Sequence, residues 1–282
     1  MTPRLFRLLL PALLFAACSH AAPNIVYIIS DDHAWTDYGF MGHKQIETPN
    51  LDKLAARSAV FTRGYVPTAL CRPALATFAS GMYAHQHKVS GNDPAPLETN
   101  APAKGKAKGK GKGPGAETVE YKALREKLIA RMDSQPSLAK LLGAQGYLSH
   151  QSGKWWEGGH QRGGFTHGMT RGFPQPGGRH GDDGLKIGRE GMEPVFEFID
   201  HALAEKKPFF IWYAPFMPHT PHTPPDRLFQ KYKAKGIESD FVARYYAMVE
   251  WFDETCGQLM DRIEQKGLLE NTLFVYVADN GW

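Results

Sequence analysis

Asn24-Ile25-Val26-Tyr27-Ile28-Ile29-Ser30-Asp31-Asp32 is the stretch whose reading decides the fold. It is a nearly continuous apolar run that stops at two carboxylates. A strand with water on one face alternates apolar and polar side chains. An unbroken run suits a strand covered on both faces, as in a parallel sheet. Two later runs behave alike. Pro208-Phe209-Phe210-Ile211-Trp212-Tyr213-Ala214 continues through Phe216 to Pro218-His219, and Leu273-Phe274-Val275-Tyr276-Val277-Ala278 stops at Asp279-Asn280-Gly281. A shorter strand-like piece, 147–152, leads into Gly153-Lys154-Trp155.

Helical patterns fill the intervals. Residues 51–58 repeat apolar positions every three to four residues behind Asn50 as a cap. Residues 73–80 carry Pro73 in the first turn and end at Gly81. Further helices are expected over 117–132, over 137–145 with Ser134 as cap and Gly146 closing it, over 192–205, and through most of 226–266. Residues 158–191, rich in Gly and His, read as long loops. Strands alternating with helices predict an α/β fold, a mostly parallel central sheet with helices on both faces. No internal repeat interrupts this pattern.

Size and charge narrow the function. A chain of 282 residues, 42% hydrophobic, is long enough for one large domain with a full core. The net charge of +4 has a local origin. Five lysines and no acid lie between Lys104 and Gly115, and without them the balance is 4 − 5 = −1. The Pro-, Gly- and Lys-rich insertion 94–116 has no packing potential and reads as a disordered surface loop. The remaining surface lacks the basic, aromatic-interleaved face of a nucleic-acid-binding protein, so no nucleic-acid partner is expected.

The N-terminus reads as an export signal, residues 1–21. Arg4 and Arg7 precede the mostly apolar segment 8–17, and Ser19 and Ala21 stand at −3 and −1 of a cut before Ala22. The apolar segment is shorter than the roughly 20 residues a bilayer span needs. A periplasmic or secreted location is expected, with membrane attachment only if Cys18 is lipidated. The three cysteines, Cys18, Cys71 and Cys256, do not form the even framework of a disulfide-stapled protein. Cys256 lies in a helical pattern and is expected as a buried thiol. Cys71 opens the 73–80 helix, where backbone N–H groups and the positive helix end are expected to face an anion.

In an open parallel sheet, ligands bind beyond the carboxyl ends of the strands. If the runs above are parallel strands, Asp31, Asp32, Asp279, Asn280 and Pro218-His219 gather along one edge. Each alone reads equally well as a turn residue. Together they offer three carboxylates and an amide oxygen, an all-oxygen set suited to a hard divalent cation, which would offset their mutual repulsion.

Five segments in order then resemble the sulfatase family of the alkaline-phosphatase-like superfamily: Asp31-Asp32, Cys71-Arg72-Pro73-Ala74-Leu75, Gly153-Lys154-Trp155, Pro218-His219-Thr220-Pro221-His222, and Asp279-Asn280-Gly281. The resemblance runs from about Asn24 to the end. It implies that a separate maturation enzyme converts Cys71 to formylglycine, whose hydrated aldehyde is the nucleophile. It also implies a Ca²⁺ site (Mg²⁺ is the alternative) held by Asp31, Asp32, residue 71, Asp279 and Asn280. Lys154 would then hold sulfate oxygens and His219 would protonate the leaving alcohol. The implied substrate is a sulfated small molecule or glycan. The alternatives are a phosphonate or phosphodiester hydrolase of the same superfamily and an inactive sulfatase-like pseudoenzyme. Leu75 stands where the family pattern has Arg, and Trp156 where many members have His. His160 or His167 in the following loop is a candidate substitute for the latter. The family pattern continues beyond residue 282, so residues 22–282 are expected to be an incomplete catalytic domain lacking the C-terminal subdomain, with poor stability and little activity alone.

Overall fold

The computed structural model describes residues 22–94 and 118–281. The predicted signal segment 1–21 and all of the predicted insertion but Pro94 lie outside the described residues. The first strand, β1 (Asn24–Ser30), is followed by α1 (Pro49–Ala56), α2 (Cys71–Ser80), a single turn α3 (Ala84–His87), α4 (Val119–Asp133) and α5 (Leu138–Gly143). Then come β2 (Leu148–Gly153), a two-residue β3 (His167–Gly168), α6 (Glu193–Ala204), β4 (Phe209–Ala214), α7 (Asp226–Ala234), α8 (Asp240–Gln265) and β5 (Thr272–Ala278).

The strands form one sheet in the order β3-β2-β4-β1-β5, and every pairing is parallel. Alternate side chains therefore enter two different cores. Val26 and Ile28 of β1 and Phe209, Ile211 and Tyr213 of β4 meet Val195, Phe198 and Ile199 of α6 and Met248, Phe252, Cys256 and Leu259 of α8. Ile29, Phe210, Trp212 and Ala214 point the other way, onto Leu75 and Ala79 of α2, Ala139 of α5, and Tyr147, Trp155, Trp156 and Phe165. The continuous apolar runs of β1 and β4 are the signature of strands sandwiched between these two layers, whereas β5, expected to be covered on both faces, leaves Leu273 and Val275 exposed. Cys256 is a buried free thiol, as expected. Among the described residues no helix is long and apolar enough to cross a membrane.

Local details differ from the sequence reading where a distant group supplies the cap. Asn50 does not cap α1. Pro49 begins that helix, pre-set in φ for that position. The Asn50 and Leu51 N–H groups donate instead to the Asp253 carboxylate of α8, at 3.1 and 2.7 Å. Ser137, not Ser134, caps α5, its hydroxyl accepting from Lys140 N–H at 3.2 Å. The 226–266 segment breaks into two helices around Gly236, whose φ of +85° leaves the helical region.

Candidate active site

The strands end in register. Ser30 lies opposite Ala278, and Gly153 opposite Ala214. The ladders run one residue further: Asp31 N–H donates to Met217 O (3.0 Å), Lys154 N–H to Ala214 O (2.7 Å) and Asp279 N–H to Ser30 O (2.9 Å). Parallel pairing thus delivers Asp31, Lys154, Asp279 and the turn after β4 to one edge, the crevice beyond the strand ends. Gly153 is demanded there. Its φ is +82°, and a Cβ would fall 1.8 Å from Ala214 O.

At this edge the predicted residues converge. Asp31 Oδ1 accepts from Lys154 Nζ at 2.6 Å and lies 3.8 Å from Cys71 Sγ. Asp32, in the left-handed region at φ +55°, donates its N–H to Asp279 Oδ1 (3.2 Å), accepts from Asn280 Nδ2 (2.6 Å) and approaches His219 Nε2 at 3.3 Å. One ligand atom each from Asp31, Asp32, Cys71 and His219 lies within 4.8 Å of the others. Three buried oxygens, Asp31 Oδ2, Asp279 Oδ2 and Asn280 Oδ1, have no hydrogen-bond partner among the described residues. Buried acceptors left open in this way, two of them on carboxylates, fit a hard divalent cation and would be costly otherwise.

The electrostatics agree with that donor set. Burial, and then Asp31 beside it, hold the Asp279 carboxyl well above the ordinary carboxylate range. Burial opposes the charge on Lys154, but Asp31 and Asp279 outweigh it and raise its pKa, so the ammonium persists although 2% exposed. Burial pushes the Cys71 thiol up to about 12, Lys154 opposing and the acids adding to the shift.

The start of α2 offers an anion less than expected. Arg72 N–H donates to Asn92 Oδ1 (2.9 Å), Pro73 has no N–H, and Ala74 N–H donates to Leu70 O (3.1 Å). Leu75 is buried in the apolar cluster beside Cys71. Arg72 instead makes a bidentate pair with Glu157, both bonds 2.7 Å and both partners buried. That pair ties the start of α2 to the segment leaving β2. Trp156 is buried with the Arg125 and Arg179 guanidinium groups over its ring, at 5.2 and 4.7 Å.

The two loop histidines lie elsewhere. His160 bonds Thr170 O through Nδ1 (3.0 Å), and His167 lies on the edge strand β3, packed against His201 and Phe198. The side chains that do reach the site from the loops went unread in the sequence. Phe216 stacks on His219 at 4.3 Å and lies under Lys154 Nζ at 5.3 Å. Arg189 clamps the turn by donating to Phe216 O (2.6 Å) and His219 O (3.1 Å). His180 sits between Trp156 and Phe216, ring centroids 5.2 and 5.5 Å away. Burial, then Lys154 and Arg179, push its pKa down to about 4, so the ring is neutral near pH 7. Apart from the His-rich composition of 158–191, no sequence signal singled these residues out.

Known proteins resemble this chain in sequence and in fold. Human arylsulfatase A is 27% identical over 323 residues, 98% of this chain and 55% of that protein. N-acetylgalactosamine-6-sulfatase of Rattus norvegicus is 26% identical over 312 residues, 98% and 54% respectively. The chain spans about half the length of the curated relatives it matches. The crystal structure of Ps i-CgsB superposes with a TM-score of 0.66 at 26% identity, covering 92% of this chain and 59% of that one. The family model described as Sulfatase matches residues 23–282. With the parallel sheet and the acids gathered at its carboxyl edge, that match makes the chain a member of the sulfatase family, of alkaline-phosphatase-like fold.

Proposed function

We propose that the protein to which this chain belongs hydrolyses sulfate esters, and that Asp31, Asp32, Cys71, Lys154, His219, Asp279 and Asn280 form its reaction centre. The observation that carries this reading is the gathering of Asp31, Asp32 and His219 around residue 71, with Asp279 and Asn280 joined to them through Asp32 and buried oxygens left open for a cation. Asp31, Asp32, Asp279 and Asn280 would hold Ca²⁺ or Mg²⁺ together with residue 71. A bound cation supplies the positive charge that neutralises the acids, binds the sulfate group and favours a deprotonated oxygen nucleophile. As formylglycine, residue 71 supplies a hydrated aldehyde: one hydroxyl to attack sulfur, the other to release sulfate as the carbonyl re-forms.

The remaining work falls to side chains. Lys154, charged and held against Asp31, donates to sulfate oxygens and offsets charge developing on them. His219 stacks on Phe216 with Nε2 toward the acids, where it can hold the proton that the departing alcohol takes up. Trp156 and the Arg72–Glu157 pair are buried and keep water from that side of the site. We further infer a carbohydrate sulfate as substrate, from the export-type N-terminus and the polar loops over the cleft, and a separate maturation enzyme acting on Cys71 in an exported protein.

The test uses the full-length gene product made with a formylglycine-generating enzyme. Peptide mass is read at residue 71, and turnover is measured on parallel panels of sulfate, phosphate and phosphonate esters. Formylglycine with preferential sulfate-ester hydrolysis is the expected result. Unmodified thiol with no turnover makes the protein a pseudoenzyme. Faster hydrolysis of the phosphorus esters moves it to the other branch of the superfamily.

A further inference from the structure

An ester sulfate presents three non-bridging oxygens, and this chain is short of donors for them. Leu75 offers none, Trp156 is buried beneath two guanidinium groups, and at the start of α2 the Arg72 and Ala74 N–H groups are used within the protein. Lys154 is one donor, and its ammonium already serves Asp31.

His180 is an imidazole without a task. Its Nδ1 is buried with no partner, and among the described residues neither ring nitrogen makes a hydrogen bond with the protein. Core-packed His150 also has an unpartnered Nδ1, but His180 differs in contacting Phe216, the ring that His219 and Lys154 also meet. The His180 ring is nevertheless well fixed. Trp156 and Phe216 flank it, its carbonyl accepts Trp155 N–H at 3.1 Å, and its neighbour Arg179 is pinned by Asp93 and Trp156. Lys154, Asp31 and His219 are near enough to act on it electrostatically. A ring fixed by its aromatic neighbours with its nitrogens unbonded is preorganised for a ligand.

We propose that His180, in the 158–191 loop, is a substrate-contacting residue, an N–H donor to a sulfate oxygen near Lys154. This rests on the sulfatase reading only for the identity of the anion. Burial keeps the ring uncharged near pH 7, so it adds a directional hydrogen bond without a second cation next to Lys154. The sequence candidates His160 and His167 have other partners.

The experiment compares His180→Ala, His180→Gln, His160→Ala and His167→Ala in the full-length, matured protein. Inorganic sulfate binding is read by calorimetry, turnover on a sulfate ester by steady-state kinetics. His180→Ala should weaken sulfate binding and lower kcat/KM by about ten- to a hundredfold, the loss of one hydrogen bond to a charged group. His180→Gln, which keeps an N–H, should recover part of it, and the other two variants should match wild type. Sulfate affinity and turnover unchanged in His180→Ala overturn the proposal, as does a variant that only melts earlier while binding sulfate normally. If wild type binds sulfate but hydrolyses no sulfate ester, the proposed function fails, and His180 is still judged by binding. A wild type that does not bind sulfate overturns it outright.

Discussion

Burying two carboxylates against each other costs stability unless something positive joins them, and in this molecule the cost concentrates on Asp279. Its Oδ1 accepts from Asp32 and Asn280 N–H, at 3.2 and 2.6 Å, while Oδ2 is buried without a donor. In Asp279→Asn the amide oxygen keeps both bonds, and the amide nitrogen turns the unpartnered atom into a donor facing Asp31. The variant should melt higher than wild type in chelator. Wild type should gain from Ca²⁺ or Mg²⁺, about 2.7 kcal/mol at a hundredfold excess over Kd, whereas Asp279→Asn should gain little. Thermal unfolding with and without divalent ion reads both effects, and an equal ion response in the two proteins would mean that these acids hold no cation. The seven proposed site residues were legible because each stands at the end of an apolar run or in a short ordered motif. His180, Phe216, Arg189 and Glu157 were not. They act through contacts between loops, which follow no period and leave only composition to read.

His150 shows what a strand in the middle of such a layer asks of a polar side chain. It lies on β2, 5% exposed, with its ring 5.1 Å from Phe198 of α6 and its Nδ1 unpartnered. Burial first, then His167 and His160, push its pKa down to about 3 from 6.5. Below 6.5 the unfolded chain binds a proton that the folded one refuses, so this contribution is intact above pH 6.5 and is lost as pH falls toward 3. Near pH 5 the loss is about 2 kcal/mol relative to pH 7. His150→Leu should therefore lose less stability between pH 7 and pH 5 by about that amount, measured by urea unfolding. Identical pH slopes in the two proteins would show that the imidazole titrates normally in the fold. Among elements, β1 and β4 were legible because burial on both faces writes an unbroken apolar run, whereas β5 carries such a run with one face open and β2 is buried with a largely polar sequence. The helix starts were less so. Whether Asn50 or Ser134 caps a helix is decided by Pro49, by Ser137, and by Asp253 reaching across from α8, and β3 is too short to carry a pattern.

Across the whole molecule, the two sheet edges differ in how they meet solvent. At one edge β3 is two residues long and offers little ladder to a second chain. At the other, β5 runs seven residues, Thr272–Ala278, and among the described residues it pairs only with β1. Phe274 and Tyr276 pack inward, but Leu273 and Val275 on the opposite face are 53% and 37% exposed. The strand contains no proline, lysine or other charge, the usual devices that blunt an edge. A seven-residue apolar edge strand is a template for pairing with another copy. The 282-residue chain prepared by itself should therefore self-associate with rising concentration, followed by sedimentation velocity. Val275→Lys should shift the distribution toward monomer, because a charge on the open face opposes stacking while the ladder to β1 uses only backbone groups. The same substitution should leave the acid cluster intact, since Ser30 and Asp279 are joined through the main chain. A chain that stays monomeric at its solubility limit, or a lysine variant that associates as strongly, would show that the β5 edge is protected by something other than its own residues.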